Sequence, residues 1–462
     1  MTLIKSISGI RGTIGGTVNQ GLTPVDTVKF AAAYGTWLQL RHPNKKLQVV
    51  IGRDARISGE MISQLVSSTL IGLGIDVIDL GLSTTPTVEI AVPKENAQGG
   101  IILTASHNPK QWNALKLLNE KGEFISAADG ELVLTIAEKE KFNFAQVEDL
   151  GQYRKDNSYL QKHIDSILAL KLVDIRAIKE ANFKIVVDAV NSTGGIFVPA
   201  LLEALGVSQI SKLYCEPTGN FPHNPEPLPE HLNDLSARIK SEGADLGIVV
   251  DPDVDRLAMV CEDGSMFGEE YTLVAVADYV LTHTPGSTVS NLSSTKALRD
   301  ITEQRGLTYY AAAVGEVNVV EKMKTFNAVI GGEGNGGIIY PESHYGRDAL
   351  VGIALFLSHL AKTGKTVSEL RDSYPKYVIS KNKIELTPQI DVDHILHQIA
   401  LKYASEEVDT IDGVKIYIGD EWVHLRKSNT EPIIRIYSES KSEEHANAFA
   451  NKFIEEIKNL IG

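Results

Sequence analysis

Cysteine is scarce in this chain: Cys215 and Cys261 are the only two among 462 residues. Two thiols build neither a disulfide framework nor a zinc site, so a reducing compartment fits and apolar cores must carry the stability. Long apolar runs are missing as well. No stretch reaches the ~18 residues of a membrane-spanning helix, and Met1-Thr2-Leu3-Ile4-Lys5 lacks the apolar centre of a secretion signal. A cytoplasmic protein without a membrane partner is expected. Positive charge is in deficit, with 45 Lys and Arg against 59 Asp and Glu and a net charge of −14. That balance argues against nucleic acid as a partner but leaves room for a local basic pocket that takes a small anion. Low-complexity tracts and long charged tails are absent.

What is present is a regular alternation. At ~150 residues per domain the length suggests roughly three domains, and an apolar content of 43% suffices for several cores. Six strand-like runs each end in a polar turn. Leu47–Ile51 leads into Gly52-Arg53-Asp54, Gly99–Leu103 into Ser106, and Phe183–Val187 into the segment from Asp188 to Gly195. Leu246–Val250 leads into an acidic run, Thr288-Val289 into Asn291–Thr295, and Ala328–Ile330 into a glycine-rich turn. Helix-like stretches such as Glu60–Leu73 and Asp348–Lys362 lie between. The pattern predicts an α/β class with three similar domains, in which ligands gather beyond the carboxyl ends of strands. From about Ser373 onward short strands and one last helix predict a smaller α+β domain. There Glu421–Leu425 and Ile433–Tyr437 read as strands, Arg426–Pro432 as their turn, and Ser442 as the N-cap of a helix to about Leu460.

Several constellations carry chemistry. Asp251, Asp253 and Asp255 alternate within Asp251-Pro252-Asp253-Val254-Asp255-Arg256. Three hard oxygen ligands on one side of an extended segment suit a divalent cation. A solvated acidic turn is the plain alternative. An EF-hand fits Glu262 at its last position, but Arg256 replaces the required glycine and the flanks read as strands. Ser106, in Thr104-Ala105-Ser106-His107-Asn108-Pro109, lacks the glycines of a hydrolase elbow. Adjacent His107 is poorly placed to pair with it, and a turn serine stays open. Gly332-Glu333-Gly334-Asn335-Gly336-Gly337 spells a dinucleotide fingerprint but is followed by Ile338-Ile339-Tyr340-Pro341, not a helix start. Glu333 and Asn335 there suit sugar hydroxyls, with a structural glycine turn as the alternative. Gly364-Lys365-Thr366 fails as a P-loop because His359 stands where its first glycine belongs. Arg426, Ser428, Asn429, Thr430 and Arg435 form a phosphate-like donor set, unless they only decorate a solvated hairpin. Arg11 in Ser8-Gly9-Ile10-Arg11-Gly12 and Lys116 add cations.

Taken in order, T-A-S-H-N-P, D-x-D-x-D-R, G-G-E-x-x-G and R-x-S-N-T-E-P, with G-I-R-G in front, resemble the α-D-phosphohexomutases over the whole chain. That family includes phosphoglucomutase, phosphomannomutase and phosphoglucosamine mutase. The resemblance implies four domains around a central cleft, with expected divisions at 1–155 (phosphoserine loop), 156–258 (metal loop), 259–372 (sugar loop) and 373–462 (phosphate loop). It makes Ser106 the phosphoserine, whose phosphate joins Asp251, Asp253 and Asp255 around Mg²⁺. Glu333 and Asn335 would read the sugar. Arg426, Ser428, Asn429, Thr430 and Arg435 would hold the phosphate that does not react. Lys116, Arg11 and Arg256 would act catalytically, Arg11 by charge and Lys116 as the better proton carrier. The implied activity interconverts hexose 1- and 6-phosphates through a 1,6-bisphosphate that also serves as activator. The opening Ser8-Gly9-Ile10-Arg11-Gly12 favours glucosamine phosphate, with glucose or mannose phosphate next. A Mg²⁺-dependent sugar-phosphate phosphatase with Asp251 as nucleophile and a Ca²⁺-dependent binding protein are the other classes. Departures are Gly334-Asn335-Gly336-Gly337 where relatives carry Ser-Gly-His, Glu316 where several have histidine, and Pro252 and Val254 where glycines are usual. Composition fixes no oligomeric state.

Overall fold

The protein is described by a computed structural model that covers residues 2–6, 9–386, 390–428 and 433–461. It divides into two compact units, Met1–Thr272 with Gly336–Ser368, and Leu273–Asn335 with Glu369–Gly462. In the first unit a seven-stranded mixed sheet runs in the order Ile4–Ser6, Gly9–Thr13, Trp112–Leu118, Gly99–Leu103, Gln48–Arg53, Asp76–Leu82 and Tyr153–Lys155. Gly99–Leu103 lies parallel to Gln48–Arg53 and antiparallel to Trp112–Leu118. All five of its residues are buried. Burial on both faces is why it reads as a continuous apolar run and not as an alternation. A large core around Phe30, Trp37, Val49, Ile51, Ile101 and Leu103 packs helix Pro24–Arg41 on one face. Thr23 and Asp26 close a capping box at the start of that helix.

A second sheet of the same unit orders Leu257–Cys261, Leu246–Val250, Lys184–Asp188 and Gln209–Leu213. Leu246–Val250 is parallel to Lys184–Asp188 but forms an antiparallel hairpin with Leu257–Cys261. The acidic run is the loop of that hairpin. Strand flanks therefore exclude the EF-hand, and Glu262 instead accepts from the Ser368 backbone N–H at 3.1 Å. Helix Ala349–Thr363 is buried along most of its length. Its N-cap Asp348 accepts from Leu350 and Val351 N–H groups and meets His163 Nε2 at 3.0 Å and His344 Nε2 at 3.2 Å.

In the second unit Thr288–Asn291 lies between Tyr309–Ala312 and Ile330–Glu333, parallel to both. The C-terminal sheet is antiparallel throughout, in the order Val378–Glu385, Ile433–Ser440, Glu421–Lys427, Val414–Ile418 and Glu407–Asp409. Helix Glu443–Ile461 covers it, and the Ser442 hydroxyl accepts from His445 N–H at 3.3 Å. The protein thus has three α/β domains and a smaller C-terminal one. Two readings of the tail need correction. A helix, Val392–Lys402, lies among the strands, with Val392, Ile395, Leu396 and Ile399 buried at helical spacing. Arg426 and Lys427 belong to a strand and not to the turn, because the ladder continues through the pairs Arg426–Arg435 and Lys427–Ile434. Among the described residues no helix is long and apolar enough to cross a membrane.

Asp348 supplies a pH test of the first unit. Burial raises its pKa, but His163 and His344 outweigh burial and hold it below the usual carboxylate range. Stability from a depressed carboxylate is fully present above the unfolded pKa of about 4 and fades as pH falls below it. Asp348→Asn keeps a good cap and deletes the charge. Its deficit in urea midpoint against the parent is expected to shrink between pH 6 and pH 3, whereas a deficit independent of pH would refute the pairing.

Candidate active site

Ser106 lies in the turn that follows Gly99–Leu103 and is buried, with φ +46°. The left-handed region is costly for a non-glycine residue, at roughly 1–3 kcal/mol. Its Oγ donates to Asp251 Oδ2 at 2.6 Å, so the hydroxyl and the first acidic residue are brought together from two different sheets. His107 does not compete. Its Nδ1 has no hydrogen-bond partner among the described residues, and burial followed by the Arg256 charge holds the ring well below its ordinary pKa.

Asp251, Asp253 and Asp255 are fully buried and place one carboxylate oxygen each within 4.8 Å of the others. The loop bends at Val254, whose φ is +62°. A β-branched residue is a marked outlier there, and Val254 is wholly buried and donates its N–H to Asp251 O at 3.1 Å. Asp251 Oδ1 accepts from the Asp255 and Arg256 N–H groups, each at 3.2 Å. Thr85 Oγ1 donates to Asp253 Oδ2 at 2.5 Å.

Cations ring this loop. Lys116, on Trp112–Leu118, reaches Asp253 Oδ2 at 2.7 Å and Asp255 Oδ2 at 3.5 Å. Arg347 reaches Asp255 Oδ2 at 2.6 Å, and Arg256 Nε lies 3.9 Å from Asp255 Oδ1. Burial opposes the charge on Lys116, but Asp253 and Asp255 outweigh it and raise its pKa. Lys116 therefore holds its proton tightly, which suits it to neutralise charge more than to give the proton up. Asp255 is pushed up by burial and down further by Arg347, Lys116 and Arg256, for a net lowering. Asp251 goes the other way, well above the usual range, because burial and then Asp255 and Asp253 disfavour its charge. The residues fit a divalent cation: Asp253 Oδ1 and Asp255 Oδ1 are buried oxygens with no hydrogen-bond partner among the described residues, and the donor set is hard oxygen. Arg11 is half-buried on Gly9–Thr13, paired across from Ala114 of the Lys116 strand. Sequence reasoning missed Arg347 and Thr85, since both reach the loop from distant segments and no local spacing announces them.

The second unit holds the other predicted residues. Glu333 ends strand Ile330–Glu333, buried, and its Oε1 accepts from Asn291 Nδ2 at 2.8 Å and Gly315 N–H at 3.1 Å. The next residue, Gly334, donates to Ser294 Oγ at 2.9 Å. Asn335 is half-buried beyond it. Glu316 opens helix Glu316–Phe326 directly after Gly315 and is buried as well. In the C-terminal sheet Lys383 stands opposite Arg435, which stands opposite Arg426. Like charges directly opposite across strands destabilise a sheet, so this row favours an anion. Arg426 is also paired with Asp412 at 3.5 Å, and Ser428 closes the hairpin by donating its N–H to Ile433 O. Asn429 and Thr430 lie outside the described residues.

Comparison with known proteins identifies the chain. Family models for phosphoglucomutase/phosphomannomutase match in sequence order: alpha/beta/alpha domain I over residues 3–144, domain II over 161–264, domain III over 268–377 and the C-terminal domain over 383–456. The chain belongs to this phosphohexomutase family. A phosphoglucomutase/phosphomannomutase of Thermococcus kodakarensis is 37% identical over 95% of the chain and 96% of its own length. A phosphoglucosamine/phosphogalactosamine mutase of Sulfurisphaera tokodaii is 32% identical over 98% of each. The crystal structure of a phosphoglucomutase/phosphomannomutase family protein from Burkholderia thailandensis superposes with a TM-score of 0.85 at 26% identity, covering 99% of this chain and 98% of that one. The protein is accordingly a phosphohexomutase, an isomerase that works by phosphoryl transfer.

The acidic loop gives a metal test. Asp251→Asn removes a charge that its surroundings disfavour, so without Mg²⁺ the variant should melt no lower than the parent. With free Mg²⁺ at about 100 times its Kd the parent should gain ~2.7 kcal/mol and the variant far less. Equal Mg²⁺-dependent rises in Tm would exclude Asp251 as a ligand.

Proposed function

We propose that the protein interconverts glucosamine 1-phosphate and glucosamine 6-phosphate through a phosphoserine at Ser106. The observation that carries the phosphoserine is the 2.6 Å bond from Ser106 Oγ to a buried carboxylate triad that fits a divalent cation. In the first transfer the bond from phosphorus to Ser106 Oγ breaks while one to the substrate's free O6 forms, and the proton of O6 ends on Ser106. The resulting 1,6-bisphosphate then returns its other phosphoryl group to Ser106. Added hexose 1,6-bisphosphate is the activator, since it phosphorylates Ser106. Asp251, Asp253 and Asp255 would hold Mg²⁺, which supplies charge neutralisation for the group in transit. Lys116, charged as it stands, adds to that neutralisation and can accept the O6 proton only once it has passed its own to Ser106 Oγ; Arg256 and Arg11 contribute charge. Glu333 and Asn335 read the sugar, while Arg426, Ser428, Asn429, Thr430 and Arg435 hold the phosphate that is not moving.

The amino sugar is supported by two buried carboxylates, Glu316 and Glu333, on one unit; a carboxylate that can take a sugar hydroxyl binds an ammonium more strongly through a charge-assisted bond. It is also supported by the relative that is named for phosphoglucosamine and phosphogalactosamine. The relative named for phosphoglucomutase and phosphomannomutase favours a second reading with glucose and mannose phosphates.

A coupled isomerase assay decides between them. The expected result is a kcat/KM for glucosamine phosphate at least tenfold above glucose and mannose phosphates, about 1.4 kcal/mol in transition-state discrimination. Equal or higher values for the neutral sugars would establish the second reading. Arg435→Gln should raise KM by roughly tenfold or more with a smaller effect on kcat, as for a lost charge-assisted phosphate contact. An unchanged KM would remove Arg435 from the phosphate set.

A further inference from the structure

Arg56 touches neither the Ser106 hydroxyl nor any carboxylate of the triad, yet its contacts converge on the serine's backbone. The side chain is almost completely buried, at 1% exposure. A guanidinium carries five N–H donors in a rigid fork, and here each finds an acceptor. Nε donates to Asp54 Oδ2 at 3.0 Å. Nη1 donates to the carbonyls of Pro109 at 2.7 Å and Trp112 at 2.9 Å. Nη2 donates to the carbonyls of Ser106 at 2.5 Å and Asn108 at 2.6 Å. Four carbonyls between Ser106 and Trp112 thus point at a single cation, whose Cζ lies 5.1 Å from the Phe221 ring centroid.

The same network reaches the other side of Ser106. Its N–H donates to Thr104 Oγ1 at 2.9 Å, and that hydroxyl donates to Asp54 Oδ2 at 2.6 Å, the oxygen that also accepts from Arg56. Both peptide groups flanking the Ser106 Cα are therefore ends of one closed ring through Thr104, Asp54 and Arg56. That ring sets the +46° φ which aims Oγ at Asp251. The adjoining residue ties it to the acidic loop: Ala55 N–H donates to Ser192 Oγ at 3.3 Å, and Ser192 Oγ donates to Pro252 O at 2.7 Å.

We infer that Arg56 is a positioning residue for phosphoryl transfer, holding the strained Ser106 backbone so that Oγ stays aligned with the triad. The inference rests on the reading of Ser106 as the phosphoserine. Lysine keeps the charge but offers three donors from a point and not a fork, so Arg56→Lys loosens the clamp while leaving the nucleophile and the metal ligands in place. Thr104→Val opens the ring from the opposite side.

The experiment compares parent, Arg56→Lys, Thr104→Val and Ser106→Ala for kcat, KM, the rate at which hexose 1,6-bisphosphate phosphorylates the protein by intact mass, and Mn²⁺ affinity by paramagnetic resonance. For Arg56→Lys, kcat and the phosphorylation rate should fall about 100-fold, the scale of an ångström misplacement, with KM and Mn²⁺ affinity within about threefold of the parent. Thr104→Val should show the same split at about tenfold. A folded Arg56→Lys with kcat within about threefold of the parent overturns the inference, as does a kcat loss matched by lost Mn²⁺ affinity. If Arg56→Lys does not fold, an unchanged kcat in Thr104→Val overturns it. Isomerase activity surviving in Ser106→Ala would instead sink the phosphoserine reading, whatever Arg56 does.

Discussion

Three carboxylates buried within 4.8 Å of one another set the terms for everything around them. At that distance and an effective dielectric of about 20, each pair repels by roughly 3–4 kcal/mol. Three such pairs approach the whole net stability of a domain, roughly 5–15 kcal/mol. The loop can exist only because charge of the other sign is built beside it. Lys116 and Arg347 contact the carboxylates directly, and Arg256 stands close. Asp251, the member that no arginine or lysine side chain reaches at hydrogen-bond distance among the described residues, is the one whose pKa rises. It is also the one to which Ser106 donates. A divalent cation would relieve this repulsion, so the cost of burying the triad becomes selectivity for the metal.

The second unit solves the opposite problem. Lys383, Arg435 and Arg426 stand side by side across three strands in a chain whose net charge is −14. Overall acidity discourages adventitious polyanions, while the local row retains an attraction for a small phosphate. The candidate nucleophile and metal ligands thus fall on one unit, and the sugar-reading and phosphate-holding candidates fall on the other. Strain follows the chemistry: Ser106 and Val254 are non-glycine residues with left-handed φ inside the two loops that meet at 2.6 Å. Such geometry persists only where the surroundings over-determine it. Arg56 and Thr104 do this for Ser106, and complete burial does it for Val254.

Much of this was legible in the sequence because central strands buried on both faces write themselves as unbroken apolar runs that stop at a polar turn. Gly99–Leu103 and Leu246–Val250 were read with the limits they have in the structure, and their turns carry Ser106 and the triad. The strand character of the flanks of the acidic loop was legible too, and it disposed of the EF-hand. Val392–Lys402 was overlooked although its apolar spacing is helical, because short strands on both sides set the expectation. Arg426 was assigned to a turn because a cluster of polar residues resembles one, whereas backbone pairing carried the strand from Glu421 two residues further, to Lys427. Arg56 and Arg347 had no local signature at all. Both act across long sequence separations, Arg56 mainly through backbone carbonyls that any residue provides.

The most direct test of the account is the location of the transferred phosphoryl group. The protein would be exposed to hexose 1,6-bisphosphate labelled in its phosphates, in the presence of Mg²⁺, then digested and mapped by mass spectrometry. The account predicts label on Ser106 alone, in the peptide containing Thr104-Ala105-Ser106-His107. Label on Asp251 or on any other residue, or a protein that isomerises sugar phosphates without becoming labelled, would contradict it.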